Sequence, residues 1–160
     1  MLCSMSLIRK QCAALPYRVS GEGKIEVMLV TSRGSGRWIV PKGWPIPGRT
    51  LAFSAGREAF EEAGIVGPVI DSPIGKYRYI KSILAGIPLP CEVTVFPLPV
   101  HRELRRWPEQ HERTRRWFGQ FEAANLVQEQ DLRALLSDPH LSDRITEAQR
   151  NDALAVARKG

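Results

Sequence analysis

Apolar and polar positions alternate through "CAALPYRV" and more strongly through "IEVMLVTS". That period of two belongs to half-buried strands. Gly21 and Gly23 mark a turn between them. "RWIVP" reads as a short third strand after the "RGSG" turn. The pattern then breaks at "GWPIPG", where Pro45 and Pro47 lack donors and Gly48 invites a bend. From Leu51 to Ala63 the period becomes helical, with Thr50 as N-cap and Gly64 as a left-handed stop. At 100° per residue, Leu51, Ala52, Ala55, Ala59, Phe60 and Ala63 share one arc. Ser54, Arg57, Glu58, Glu61 and Glu62 share the other. The small residues of the apolar arc predict close packing on a sheet, and Gly56 costs about 1 kcal/mol against Ala.

"IGKYRYIKSILAG" and "CEVTVFPLPV" predict a strand pair, and "RRWFGQF" a last strand. "FEAANLV", "DLRALL" and "RITEAQRNDALAVARK" follow with helical spacing. Strands and helices interleave without a regular βαβ repeat, and the helix before residue 64 is rich in alanine. We therefore expect an α/β fold, an α/β/α sandwich with a mixed sheet. No linker, internal repeat or low-complexity segment divides the chain. The expectation is one domain over 1–160, with a core at about 10–137 and a terminal helix at about 143–159.

Composition changes this picture little. The chain has 160 residues, 43% hydrophobic and 25% charged, which suits a folded globular protein. No apolar run approaches the roughly 20 residues that span a bilayer. The start, "MLCSMSLIRKQCAALPYR", carries its charges after its apolar patch, the reverse of a signal peptide. These features predict a cytoplasmic protein with no membrane partner. Cys3, Cys12 and Cys91 form neither a disulfide framework nor a zinc pattern. They read as reduced thiols, Cys12 and Cys91 inside strands. His101, His111 and His140 lack ligand spacing. The net charge of +6 favours anionic partners. Nucleic acid is not expected, because interleaved aromatics and known binding modules are missing.

Glu58, Glu61 and Glu62 stand at i, i+3 and i+4, so their carboxylates converge off one side of the helix. Such hard oxygen donors suit Mg²⁺ or Mn²⁺ shared with substrate phosphates. Taken alone, they equally describe a solvated acidic face.

The whole stretch "PKGWPIPGRTLAFSAGREAFEEAGI" resembles the Nudix box, G-x5-E-x7-R-E-U-x-E-E-x-G-U, where U is aliphatic. Gly43 opens it. Arg57 and Glu58 supply the R-E pair, Ala59 the first U, Glu61 and Glu62 the E-E pair, and Gly64 with Ile65 closes it. Arg49 stands where the pattern has Glu, a residue that in the family braces the box arginine. Arg57 therefore needs another partner, and Glu61 at i+4 is a candidate that would compete with a metal. "EVMLVTSRGSGRWIVPKGW" and "RTRRWFGQFEAANLV" look like flanking parts of diphosphoinositol polyphosphate and diadenosine polyphosphate phosphohydrolases.

The resemblance implies a Nudix-type sandwich and metal-dependent hydrolysis of a pyrophosphate bond. It implies Glu58, Glu61, Glu62 and the Gly43 carbonyl as metal ligands, with Mg²⁺ or Mn²⁺. Glu61, Glu62 and Arg57 would be catalytic. Glu109, Glu112 and Glu122 are further candidates for the general base. Lys42, Arg37, Arg18, Ser32, Arg33 and Arg49 would meet the substrate. Arg105 and Arg106, within the arginine-rich segment 102–116, suit a polyphosphate clamp. The expected substrate is a diphosphoinositol polyphosphate or a dinucleoside polyphosphate. The alternatives are ADP-ribose or another nucleoside diphosphate derivative, and a non-catalytic ligand-binding or regulatory module. Trp38 and Trp117 read as core.

Overall fold

The computed structural model describes residues 7–82 and 86–160. Cys3, and the part of the "IGKYRYIKSILAG" strand on residues 83–85, lie outside the described residues. The first strands are β1 (Arg9–Val19), β2 (Ile25–Thr31), β3 (Trp38–Ile39) and β4 (Lys42–Gly43). Helix α1 (Leu51–Ala63) follows, then β5 (Ile65–Val66), β6 (Gly75–Ser82), β7 (Pro88–Pro99), β8 (Arg102–Glu103) and β9 (Arg115–Gly119). The chain ends in α2 (Gln120–Leu126), α3 (Gln130–Leu136) and α4 (Leu141–Lys159).

Among the described residues, seven strands form one mixed sheet in the order β3-β2-β1-β7-β6, with β4 on β1 and β9 on β2. β1 runs parallel to β7, and the other pairings are antiparallel. β1 meets β2 only near their hairpin, at Tyr17↔Val27 to Val19↔Ile25. Farther along, β4 takes the edge of β1 at Cys12↔Gly43, and β3 takes that of β2 at Val30↔Ile39. The two central strands therefore splay, and residues 38–43 wedge between them.

Alternation along β1 divides the core. Cys12 and Ala14 face α1 with Met28, Val30, Phe96 and the helix alanines 52, 55, 59 and 63. Ala13, Leu15 and Tyr17 face α2, α3 and α4 with Leu132, Leu136 and Ile145. The result is an α/β/α sandwich, with α1 alone on one face. Small alanines let its axis approach the sheet closely, as their arc predicts.

The apolar arc of α1 is narrower than expected. Leu51 is exposed and Phe60 half-buried, while Ser54 and Glu62 on the supposed polar arc are buried. Ser54 explains its own burial. Its Oγ accepts from Ile46 N at 2.9 Å and donates to Thr50 O at 3.0 Å, tying the proline-rich loop to the helix. Gly56 also has a reason. A Cβ there would lie 2.6 Å from Val69 Cγ2, so the segment after β5 closes over the bare backbone.

The free thiols of Cys12 and Cys91 are buried, and burial, with the Glu58 charge nearby, pushes Cys12 up to about 12. Such a thiol is inert. Among the described residues no helix is long and apolar enough to cross a membrane.

Candidate active site

The box helix begins and ends where its caps dictate. Thr50 Oγ1 accepts from Phe53 N at 3.1 Å, a cap that contributes about 1 kcal/mol. Gly64 adopts φ 63°, ψ 35°, and its N–H returns to Phe60 O. The last carbonyls of the helix are then taken by a segment about fifty residues later. Trp107 Nε1 donates to Glu62 O at 3.1 Å, Glu109 N to Glu61 O at 3.0 Å and Arg115 Nη1 to Ala63 O at 2.7 Å. Arg115 also stacks on Trp107, with its Cζ 4.0 Å from the ring centroid. A guanidinium at a helix C-terminus meets the negative end of the dipole.

This docking brings two carboxylate-bearing walls together around a cleft of about 510 Å³. Glu58, Glu61 and Glu62 form one wall, and Glu109 and Arg113 the other. The splayed strands supply Gln11, Lys42 and Gly43 as its floor. Arg113 is the hinge of the charge balance. Its side chain is 6% exposed, and Nη2 reaches Glu62 Oε1 at 3.2 Å and Glu109 Oε1 at 3.3 Å. Its Nη1 donates to Thr31 O at 3.1 Å.

One guanidinium does not balance this wall. Glu58 is pushed up to about 7 by burial, then by the charges of Glu61 and Glu109. Glu62 is pushed up to about 8 by burial, with Glu58 adding to it and Arg113 opposing it. The Lys42 ammonium is lowered by burial, against the pull of Glu62. Its backbone N–H donates to Glu62 Oε2 at 3.4 Å, and its Nζ lies 4.8 Å from the Tyr79 ring centroid.

Gly43 is glycine because Glu58 needs the space. A Cβ there would stand 2.2 Å from Glu58 Oε1. Gly43→Ala should therefore push the Glu58 carboxylate out of the cleft. The expected result is at least a tenfold loss of hydrolytic turnover with little change in melting temperature. Equal turnover in the two proteins would show that the position of Glu58 is irrelevant.

The structure places the remaining sequence candidates as follows. Arg57 Nε pairs with Glu61 Oε1 at 2.9 Å, the partner expected in place of the missing box glutamate. The Gly43 carbonyl accepts from Cys12 Sγ at 3.6 Å. Arg37 Nη1 pairs with buried Glu129 at 2.7 Å. Arg18 pairs with Glu26 at 2.9 Å and covers the Trp117 ring at 4.1 Å. Arg49 is exposed, its Cζ 4.7 Å from the Phe53 ring centroid. Arg105 and Arg106 sit on an exposed bend after β8. None of Arg18, Arg37, Arg49, Arg105 and Arg106 lines the cleft. Glu112 is exposed beside Arg33, and Glu122 lies on α2 along a different groove.

The lining cations are instead Lys42, Lys81, Arg33 and Arg113. Sequence reasoning singles out Lys42, Ser32 and Arg33 and groups Arg113 with the clamp, but passes over Lys81 and Trp44. Arg105→Ala combined with Arg106→Ala should leave KM for a polyphosphate substrate within about twofold of wild type at low salt. A KM rise of tenfold would place those side chains on the substrate after all.

Among the described residues, no three chelating side chains stand clustered for a metal. The donor chemistry still fits one. Glu58 and Glu62 are hard oxygen donors in one cleft, and both resist ionisation through burial and the charge of neighbouring carboxylates. A divalent cation beside them would favour their charged forms. Glu61 lines the same cleft with one of its oxygens, Oε1, held by Arg57.

No family model matches the chain. Curated proteins do. It is 34% identical over 127 residues to Nudix hydrolase 21, chloroplastic, of Arabidopsis thaliana, covering 78% of this chain and 62% of that protein. It is 33% identical over 125 residues to Nudix hydrolase 13, mitochondrial, of the same plant, covering 75% and 62%. The chain thus spans somewhat under two thirds of the length of these relatives. Solved structures share its fold. A C. elegans Ap4A hydrolase binary complex aligns with a TM-score of 0.59 and 23% identity over 81% of this chain and 93% of that one. A NUDIX hydrolase from Nitrosomonas europaea gives 0.59 and 17% identity over 91% of each. With its box built into a helix, its mixed sheet sandwich and these relatives, the chain belongs to the Nudix hydrolase family.

Proposed function

We propose that this cleft hydrolyses a pyrophosphate bond in a highly phosphorylated small molecule, with a divalent cation. The observation that carries the reading is the gathering of half-buried Glu58 and buried Glu62 with Lys42, Lys81 and Arg33 in one cleft. Glu58 and Glu62 would hold Mg²⁺ or Mn²⁺. A cation bound there supplies Lewis acidity and lowers the pKa of a coordinated water. Lys42, desolvated on the cleft floor, offers its ammonium to a phosphate oxygen. Arg113 fixes Glu62 and Glu109 in place, so the two walls keep their separation while substrate enters. Arg33, 62% exposed and 3.6 Å from both Glu109 and Glu112, is free to swing toward an incoming anion.

Several features support a phosphorylated small molecule as substrate. The lining side chains are predominantly polar, the chain carries an excess of six positive charges, and one structural neighbour is an Ap4A hydrolase. The test is phosphate or nucleotide release from a panel of diadenosine polyphosphates, diphosphoinositol polyphosphates and ADP-ribose, with and without chelator. Hydrolysis of a polyphosphate that needs Mg²⁺ or Mn²⁺ is the expected result. Binding without turnover across the panel would favour the non-catalytic module instead. Preference for ADP-ribose would move the substrate to a less charged class.

A further inference from the structure

Trp44 is out of place by ordinary packing logic. It directly follows Gly43, and it remains 40% exposed while lining a cleft whose other exposed groups are polar or charged. The second apolar residue of the lining, Ile39, is only 4% exposed, so it offers a ligand almost nothing. The indole is therefore the large apolar surface this cleft presents. Two cations attend it from neighbouring strands. Lys81 Nζ of β6 lies 5.1 Å from the ring centroid, and Arg9 Cζ of β1 lies 5.8 Å away. Both fall within the range of a cation–π contact.

From this geometry we infer that Trp44, with Lys81 and Arg9, is a specificity subsite for the nucleoside end of the substrate. The inference rests on the pyrophosphatase reading above and narrows its substrate class to nucleoside polyphosphates. A nucleobase has a flat π face that stacks on indole, and stacking of this kind tolerates any base. An inositol ring has no such face. Its ring C–H groups are crowded by charged phosphates, so it gains far less from an aromatic plane than a base does. Lys81 faces both the ring and the cleft, so it stands where a phosphate next to the stacked nucleoside would lie. Arg9, already against the indole, can follow the base as a second cationic neighbour. The chain of subsites then runs from the indole through Lys81 and Lys42 to Glu58 and Glu62.

The test compares wild type, Trp44→Ala, Trp44→Phe and Lys81→Ala, each first checked by thermal melting. One assay is kcat/KM for diadenosine tetraphosphate against a diphosphoinositol polyphosphate. Trp44→Ala should shift the ratio of the two at least tenfold against the dinucleotide, and Trp44→Phe should recover most of the shift. Lys81→Ala should raise KM for both substrates, because both carry phosphate. An unchanged ratio in Trp44→Ala overturns the inference, whether both activities fall together or neither moves.

A second assay is independent of turnover. Calorimetric binding of ADP and of inositol hexakisphosphate, to wild type and Trp44→Ala, reads the subsite even if no pyrophosphate is cleaved. Selective weakening of ADP supports the inference. Failure of wild type to bind ADP, or equal weakening of both ligands, overturns it. Failure of hydrolysis alone overturns only the pyrophosphatase reading.

Discussion

Glu58→Gln should lower turnover at least a hundredfold and leave the protein as stable as wild type, or more so. The two halves of that result have one cause. Glu58 is half-buried beside Glu61, Glu62 and Glu109, and burial, then the charges of Glu61 and Glu109, push its carboxyl up to about 7. A carboxamide keeps the shape and removes one of four crowded negative charges. The folded state then loses repulsion, while the site loses a hard oxygen donor. Gain of stability with loss of function is the mark of a group kept for chemistry. A solvated acidic face would behave otherwise, with both quantities unmoved. Glu62→Gln should lose as much activity without the gain in stability, because it also takes a partner from Arg113. Steady-state rates with Mg²⁺ and a thermal melt of each variant decide the matter. Glu58→Gln at more than a tenth of wild-type turnover would remove Glu58 from the catalytic machinery.

Arg113→Met should be the most destabilising single change among the site residues, by about 3–5 kcal/mol. The guanidinium is 94% withdrawn from solvent, since its side chain is 6% exposed, and it holds Glu62 and Glu109 together. Methionine matches its length but leaves buried Glu62 without its guanidinium, and leaves Glu109 only the exposed Arg33 at 3.6 Å. Breaking a buried pair from one side costs more than replacing the whole pair. So Glu62→Gln and Glu109→Gln, added to Arg113→Met, should return part of the lost stability. Urea denaturation with a shared slope measures each term. A loss below about 1 kcal/mol in Arg113→Met would mean that Glu62 and Glu109 find other compensation, and that Arg113 does not organise the cleft.

Local rules made the box helix legible. Thr50, the alanine arc and Gly64 fix both ends of α1 and the face it buries, and the strand alternation of residues 12–19 and 25–31 fixes the two core layers. The Glu58–Glu61–Glu62 spacing, with Gly43 ahead of it, marks the candidate site, and the structure brings these residues to one cleft. What stayed hidden depends on residues far apart in the chain. The two-residue strands β4, β5 and β8 are too short to carry a period. Arg113 and Arg115 look like their neighbours Arg105 and Arg106 in sequence. Only the docking of segment 104–115 on the end of α1 turns the first pair inward and leaves the second outside. Trp44 was read as part of an irregular loop, because its exposure is set by where β1 and β6 bring Arg9 and Lys81.

That same docking sets the order in which the site comes into being during synthesis. Glu62 precedes its counter-charge Arg113 by 51 residues. At ribosomal rates of about 5–20 residues per second, the box emerges roughly 3–10 s before the guanidinium that settles it. Through that interval the last carbonyls of α1 lack Trp107, Glu109 and Arg115, and its acidic face has no buried partner. A nascent chain halted between Gly64 and Arg113 should hold a frayed, solvent-facing box with no cleft. Release of residue 115 then closes the helix end and joins the two walls in the same event. The candidate cleft therefore waits on residues 107–115, and unfinished chains carry the box residues without it.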